Sequence, residues 1–405
     1  MAAPYQRTLA GLLAGTLAVV AIFNWLADPY SIYGAPKVKW FNADKVEFVS
    51  HLRLTKAHRV ATLKPSAIIL GSSRAGHGLD PDHPGWEEQR VYNLAIPSPS
   101  MYEIYRYFQH ANAVQPLKRV VLALDYRSFT KDGVGGDFSE ERMAATTSGM
   151  MNPYYIKGIA DDLVDSLLSM DALSASLRNA RRQGWPKDAL FDNGRWDRVT
   201  DRYDHRKAFF VFMGNTLRRL KERVPYQSHE LMGFDYLRDL IRICHQQGVD
   251  LRILISPSHA WHWEAFRVLG LWPQLEDLKR TLVHINEREA ARAGKPPFPL
   301  YDFSGDNSLT TEAVPAAGNP SARMHWFWDS VHYKKALGDV ILNRVLGDGR
   351  SGGSVPSDFG ISLRAENVEP HLARLRAAQR TYADTHPEDI EIIERLAISA
   401  HATQR

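Results

Sequence analysis

The chain predicts an α/β fold built on a parallel sheet, and three observations lead there. Short apolar, β-branched runs alternate with stretches of helical spacing, the pattern of successive βαβ units. One of those runs, 119–125 (RVVLALD), is apolar without alternation, as a strand buried on both faces must be. The 405 residues, 44% hydrophobic and 24% charged, suffice for the core of one large domain with insertions, or of two domains.

The elements follow in order. Residues 9–27 (LAGLLAGTLAVVAIFNWLA) are apolar over nearly the 20 or so residues that cross a bilayer. Arg7 lies before them, and Trp25 and Asp28 mark the far boundary. A cleaved signal peptide would place Trp25 where cleavage wants a small residue, so an uncleaved anchor over 1–28 is the favoured reading. The short leader favours the N-terminus inside and the rest of the chain outside the membrane. A juxtamembrane segment (29–65) contains a helix over 46–63. The main domain, 66–346, then places strands at 67–70, 91–94, 119–125, 251–256 and 300–303. Helices are expected at 101–113 and at 236–247, the latter closed by Gly248. Between the third and fourth strands lies a helical insertion, about 131–233, with a helix-like run over 156–177. It reads either as a lid or as a packed subdomain. A linker (347–360, GDGRSGGSVPSDFG) leads to a helical tail, 361–405, in which Asn367 caps a helix presenting Val368, Leu372, Leu375 and Tyr382. That tail is expected to dock on the domain or on a partner.

The net charge of +4 is spread without long basic runs, which argues against nucleic acid as a partner. The single Cys244 sits in the 236–247 helical pattern and reads as a buried apolar side chain, leaving no disulfide framework.

Two distant segments carry the chemistry. Ile68-Ile69-Leu70-Gly71-Ser72-Ser73-Arg74 is a strand running into a tight turn that ends in a serine, a position from which a turn pushes a hydroxyl out of a sheet. Far downstream, Trp328-Asp329-Ser330-Val331-His332-Tyr333 offers an aspartate and a histidine three apart, neighbours if the segment is a helical turn. A carboxylate that orients an imidazole, and an imidazole that deprotonates a serine, make Ser73, His332 and Asp329 a candidate triad.

The order of these pieces resembles the SGNH (GDSL-like) hydrolase superfamily over roughly 66–345. It is closest to membrane-anchored, envelope-facing members that carry Gly-Ser-Ser-Arg in place of Gly-Asp-Ser. The resemblance implies a three-layer α/β/α sandwich with a flavodoxin-like parallel sheet. It makes Ser73 the nucleophile in preference to Ser72, His332 the base and Asp329 its orienter. The superfamily's oxyanion hole uses the nucleophile's N–H, a glycine after the second strand and an asparagine after the third. Here Ser98, in the turn that begins at Asn93, falls at the glycine, and Arg127 falls at the asparagine, with Asn93 and His259 as further oxyanion or substrate-binding candidates. Arg127 has a charged fork able to serve an oxyanion.

Several other residues have two readings. Arg74 could hold an anionic substrate group or bond neighbouring backbone. Asp125 could line a site at the strand's carboxyl end or pair with Arg74 or Arg127. His259 and His262 follow the fourth strand and are pocket-lining candidates, with Trp261 or Trp263 able to stack on a sugar ring. A His-x-x-His without a third ligand is weak evidence for zinc, and no metal or nucleotide cofactor is expected. Asp306 and Glu312 read as solvated.

By resemblance, the expected activity is serine-dependent acyl transfer: an O-acetyl esterase or O-acetyltransferase acting on a cell-envelope or extracellular polysaccharide. The alternative is a weakly active or inactive glycan-binding scaffold in a polysaccharide-export complex. A site at Gly71–Gly78 for phosphate lacks the glycine and lysine spacing of phosphate loops.

Overall fold

The computed structural model describes residues 2–402, apart from 88, 132, 185–187, 201–202, 222–229, 320 and 348–354. Half of the expected 347–360 linker, residues 348–354, therefore lies outside the described residues. The elements in chain order are α1 (Ala2–Ala27), α2 (Leu52–Leu63), β1 (Ala67–Leu70), α3 (Ser73–Gly78), β2 (Val91–Asn93), α4 (Met101–Val114), β3 (Arg119–Leu124) and α5 (Tyr126–Thr130). Next come α6 (Tyr155–Leu168), α7 (Met170–Arg181), β4 (Asp188–Leu190), β5 (Trp196–Arg198), α8 (His205–Lys221) and α9 (Glu230–Gln247). The chain closes with β6 (Asp250–Ile255), α10 (Ala260–Val268), α11 (Trp272–Ala293), β7 (Leu300–Asp302), α12 (Lys335–Leu346), β8 (Ile361–Ser362), α13 (Val368–Thr385) and α14 (Pro387–Ala402).

Six strands form one sheet in the order β2-β1-β3-β6-β7-β8, parallel except for the antiparallel edge strand β8. Its five parallel strands run 2-1-3-4-5 in sequence order, the order of a doubly wound sheet. Successive residues of a strand point to opposite faces. Ile68, Leu70, Val120, Leu122 and Leu124 therefore pack with α2, α4, α9, α11 and α13 on one side. Ala67, Ile69, Val121 and Ala123 pack with α8, α10 and α12 on the other. Both faces are buried, which is why the β3 run has no polar alternation.

The sheet's order positions the site. Chain direction reverses its walk between β1 and β3, and the loops after their carboxyl ends open a crevice there. The register pairs Ile69 with Val121 and Leu124 with Ile255, so the turns holding Ser73, Arg127 and His259 leave the same edge.

Three expectations change, and the tail takes one of its two expected places. The 156–177 run is two helices, broken at Ser169, whose hydroxyl caps α7 by accepting from Ala172 N at 3.0 Å. The insertion also contains a β4–β5 hairpin, and its first two helices pack on α1. The tail, described over 361–402, packs on the domain: β8 pairs with β7, α13 packs on α11 and α14 packs on α8 and α10. Asn367 sits at the N-cap of α13, but its side-chain oxygen accepts from Arg364 N at 2.8 Å instead of capping the helix.

Candidate active site

Gly71 makes the approach possible. At φ +151° it lets the chain leave β1 against β3, where a Cβ would lie 2.7 Å from the Ala123 carbonyl. Ser72 then serves as the cap of α3, its hydroxyl accepting from Arg74 N at 3.2 Å. Ser73 is thereby left to the cavity, with its Oγ 2.8 Å from His332 Nε2.

His332 does not sit on a helical turn with Asp329, contrary to the sequence expectation. Residues 328–332 form a loop pinned by an antiparallel bridge between Phe327 and Tyr333, and α12 begins only at Lys335. Asp329 shapes the loop itself, its Oδ1 accepting from the backbone N–H of Val331 and of His332, both at 2.9 Å. The same carboxylate faces His332 Nδ1 at 3.0 and 3.1 Å. One fully buried carboxylate thus holds both the backbone and the ring of the histidine. Burial pushes the Asp329 carboxyl up, but the charge and hydrogen bonds of His332 and the charge of Arg198 outweigh it and hold it well below the usual range.

Arg198, at the end of β5, was not legible in sequence. Its Nη1 lies 3.0 Å from Asp329 Oδ2, on the side away from the loop backbone. His77 and Phe212 stand edge-on to the His332 ring, each with centroids 5.1 Å away. Burial lowers the His77 pKa to about 4 despite its Asp197 partner, so the ring beside His332 is neutral at pH 7.

The space in front of Ser73 is a cavity of about 160 Å³. Ser73, His332, Ser98, Arg127 and Arg74 border it, with Leu124, Ile255, Phe266, Leu275 and Leu278 forming apolar wall. Ser98 has φ +45°, the left-handed conformation a glycine would take at this position. Its carbonyl accepts from Lys131 Nζ at 2.7 Å, which holds that turn.

Arg74 is committed to protein partners: it pairs with Asp125 and donates through Nη2 to His262 Nε2 at 3.0 Å. Burial and the Arg74 charge push the His262 pKa well down. The neutral ring accepts on Nε2, so its proton sits on Nδ1, a buried donor with no hydrogen-bond partner among the described residues. His262 lines the cavity.

Two expected site residues lie elsewhere. Asn93 is fully buried, its side chain donating to the Ala75 and Leu79 carbonyls at 2.9 and 2.8 Å and accepting from Ala95 N. It ties the end of β2 to α3 and has no access to a ligand. His259 is also buried, capping α10 by accepting from Trp261 N, with Nε2 2.6 Å from the Glu312 carbonyl. Trp261 is buried too and offers no ring face. Asp306 and Glu312 are not solvated. Asp306 is buried and Glu312 is half-buried, accepting from the backbone N–H of His325 and Trp326.

A serine hydroxyl bonded to an imidazole, itself backed by a buried carboxylate, can pass its proton to the ring while attacking an electrophilic carbon. No family model matches this chain, and no curated protein matches it either.

Proposed function

We propose that the protein is a serine-dependent acyl transferase or esterase acting at the outer face of a cytoplasmic membrane, with envelope polysaccharide as acyl donor or acceptor. The observation that carries this reading is the Ser73 Oγ–His332 Nε2 distance of 2.8 Å, with Asp329 behind the ring. The apolar α1, whose 4–27 span is long enough to cross a bilayer, fits the location.

In the first step the Ser73 oxygen bonds to the ester carbon as its proton moves to His332 Nε2. The resulting imidazolium is stabilised by Asp329, and the developing oxyanion by the N–H groups of Ser73 and Ser98 together with Arg127. Collapse expels the alcohol, which takes the proton from His332 and leaves an acyl-Ser73 ester. Water or a sugar hydroxyl then repeats the sequence in reverse, giving hydrolysis or transfer.

The cavity suggests the acyl group. Apolar cavities of about 150 Å³ hold benzene, so acetyl fits with space remaining and chains of up to about six carbons are admissible. Full-length protein in detergent micelles should hydrolyse nitrophenyl acetate, and Ser73→Ala should abolish the turnover. Equal rates in both would refute the triad and leave a non-catalytic glycan-binding or scaffold role. A change in the cell's surface-glycan esterification on deleting the gene, a loss for a transferase and a gain for an esterase, would identify the polymer.

A further inference from the structure

We propose that the α6–α7 hairpin is a membrane-docking surface, seated at the headgroup–acyl boundary of the leaflet from which α1 enters the domain. The inference rests on α1 crossing the membrane and goes beyond it, because it gives the domain a second lipid contact besides the anchor.

The first argument is that α6 is apolar on its outer side as well as its inner one. A helix on a soluble domain turns its apolar face inward. Here the inward side carries Gly158, Asp162 and Ser166 beside the half-buried Ile159, Leu163 and Leu167, yet the outer side is apolar too. A Cβ on Gly158 would meet the Glu141 carbonyl at 2.5 Å. Asp162 pairs with Arg142 at 2.6 Å and with His58 at 2.9 Å. The outward stripe, at i, i+4 spacing, is Ile156, Ala160, Val164 and Leu168, with Ile156 76% exposed. Across the Ser169 break Met170 continues it at 74% exposed. A contiguous apolar stripe of this kind marks an interaction surface.

The second argument is depth. Arg7 bars the segment before it from the hydrocarbon, so the apolar run of α1 starts at Thr8. At 1.5 Å per residue, the wholly exposed part, 8–19, covers about 18 Å of a hydrocarbon core about 30 Å thick. The remaining depth, roughly 12 Å, must fall on the last turns of α1. Those turns pack against α6 and α7, and Asn24 Nδ2 donates to the Leu167 carbonyl at 2.8 Å. The α6–α7 junction therefore lies beside lipid whenever α1 spans. The adjoining loop presents Trp40, 68% exposed with Lys39 Nζ 5.3 Å from its ring centre, in the aromatic-plus-cation form of a membrane interface. That loop is fastened to α1 by the Phe23–Phe41 ring contact. An interfacial helix with an apolar face toward the acyl boundary is the matching mode of binding.

The test uses full-length protein in phosphatidylglycerol–phosphatidylcholine vesicles, on a Cys244→Ala background. An environment-sensitive dye is attached at Leu13→Cys (α1), Val164→Cys (α6), Met170→Cys (α7) and Ala373→Cys (α13, at the opposite edge of the sheet). The expected result is blue-shifted emission at 13, 164 and 170 that nitroxide-bearing lipids quench by at least half, and water-like, unquenched emission at 373. Quenching at 13 with water-like emission at 164 and 170 would overturn the docking surface and leave the anchor intact. No quenching at 13 would overturn the anchor and this inference with it. Blue-shifted emission at 164 and 170 that lipid nitroxides do not quench would mean that protein covers the stripe, and would also overturn it.

Discussion

Replacing Asp329 by asparagine isolates the electronic part of the site from its geometry. The Asp329 Oδ1 position accepts two backbone N–H groups, from Val331 and His332, which an amide oxygen satisfies equally well. The loop therefore keeps its shape. The amide NH2 is forced to the Oδ2 side, where both neighbours, His332 Nδ1–H and Arg198 Nη1, are donors. The imidazole relieves the clash by moving its proton to Nε2, the nitrogen that must accept from Ser73. A triad in the wrong tautomer loses about 10⁴ in turnover, equivalent to roughly 5.5 kcal/mol at 1.36 kcal/mol per decade. Arg198 is left facing a donor in a largely buried setting, and breaking a buried pair costs about 3–5 kcal/mol, so denaturant titration must accompany the kinetics. The assay is steady-state hydrolysis of a nitrophenyl ester by full-length protein in micelles, comparing Asp329→Asn, His332→Ala and the double variant. Groups acting as a unit are non-additive, so the double variant should be no slower than His332→Ala. A folded Asp329→Asn protein retaining more than a tenth of the wild-type rate would refute the tautomer argument.

Other consequences are equally specific. Asp306 is buried without a hydrogen-bond partner among the described residues, and burial, with a smaller push from Glu264, raises its pKa to about 8. Between about pH 4 and that value the folded chain holds a proton the unfolded chain has released, so stability should fall as pH rises, by up to about 1.36 kcal/mol per unit. Melting curves of Asp306→Asn should lose that slope; an unchanged slope would rule Asp306 out as its source. Arg74→Met strands the buried Asp125 carboxylate and should cost about 3–5 kcal/mol. Arg74→Met/Asp125→Leu should recover most of it by denaturant titration, and a double variant no more stable than the single would contradict the pairing. Gly78→Ala places a Cβ 1.9 Å from the buried Tyr333 ring. It should cost about 1–3 kcal/mol and, by shifting the residue next to His332, lower turnover at temperatures where melting shows the protein folded. Unaltered kinetics would show that Tyr333 does not transmit the strain.

The parts legible in sequence are those where a local pattern and the tertiary environment ask for the same residues. The β3 run is apolar on every position because both its faces are covered, so its place in the sheet's interior could be read directly. Ser73 could be read because a strand followed by Gly-Ser-Ser has few ways to turn. The failures share one cause. Position at a strand's carboxyl end says which loop a residue occupies, but not which way its side chain points. Asn93 ends β2 and Ser98 lies in the turn that follows it, yet Asn93 turns into the body to bond the Ala75 and Leu79 carbonyls while Ser98 borders the cavity. His259 and His262 are separated by less than one helical turn, and only His262 reaches the cavity. Arg198 had no readable signal, since β5 is three residues long and carries charges at two of them.

The pieces of the site are coupled through packing as well as hydrogen bonds. The short helix that begins with Ser73 is glycine-rich, and its glycines are contact points. Trp196 lies where a Cβ on Gly76 would be, and Tyr333 where one on Gly78 would be. Those two aromatic residues belong to the segments that carry Arg198 and His332. At the same place α12 comes so close that a Cβ on Gly338 would meet the Gly78 carbonyl at 1.8 Å. Ser73, the His332 imidazole and the arginine behind the carboxylate are therefore referenced to one six-residue helix, although they come from three distant parts of the chain. Interiors packed at this density transmit displacements of a few tenths of an ångström, and a proton-transfer geometry tolerates little more than that. The glycines of this segment are thus as much a part of the site's definition as the serine that opens it.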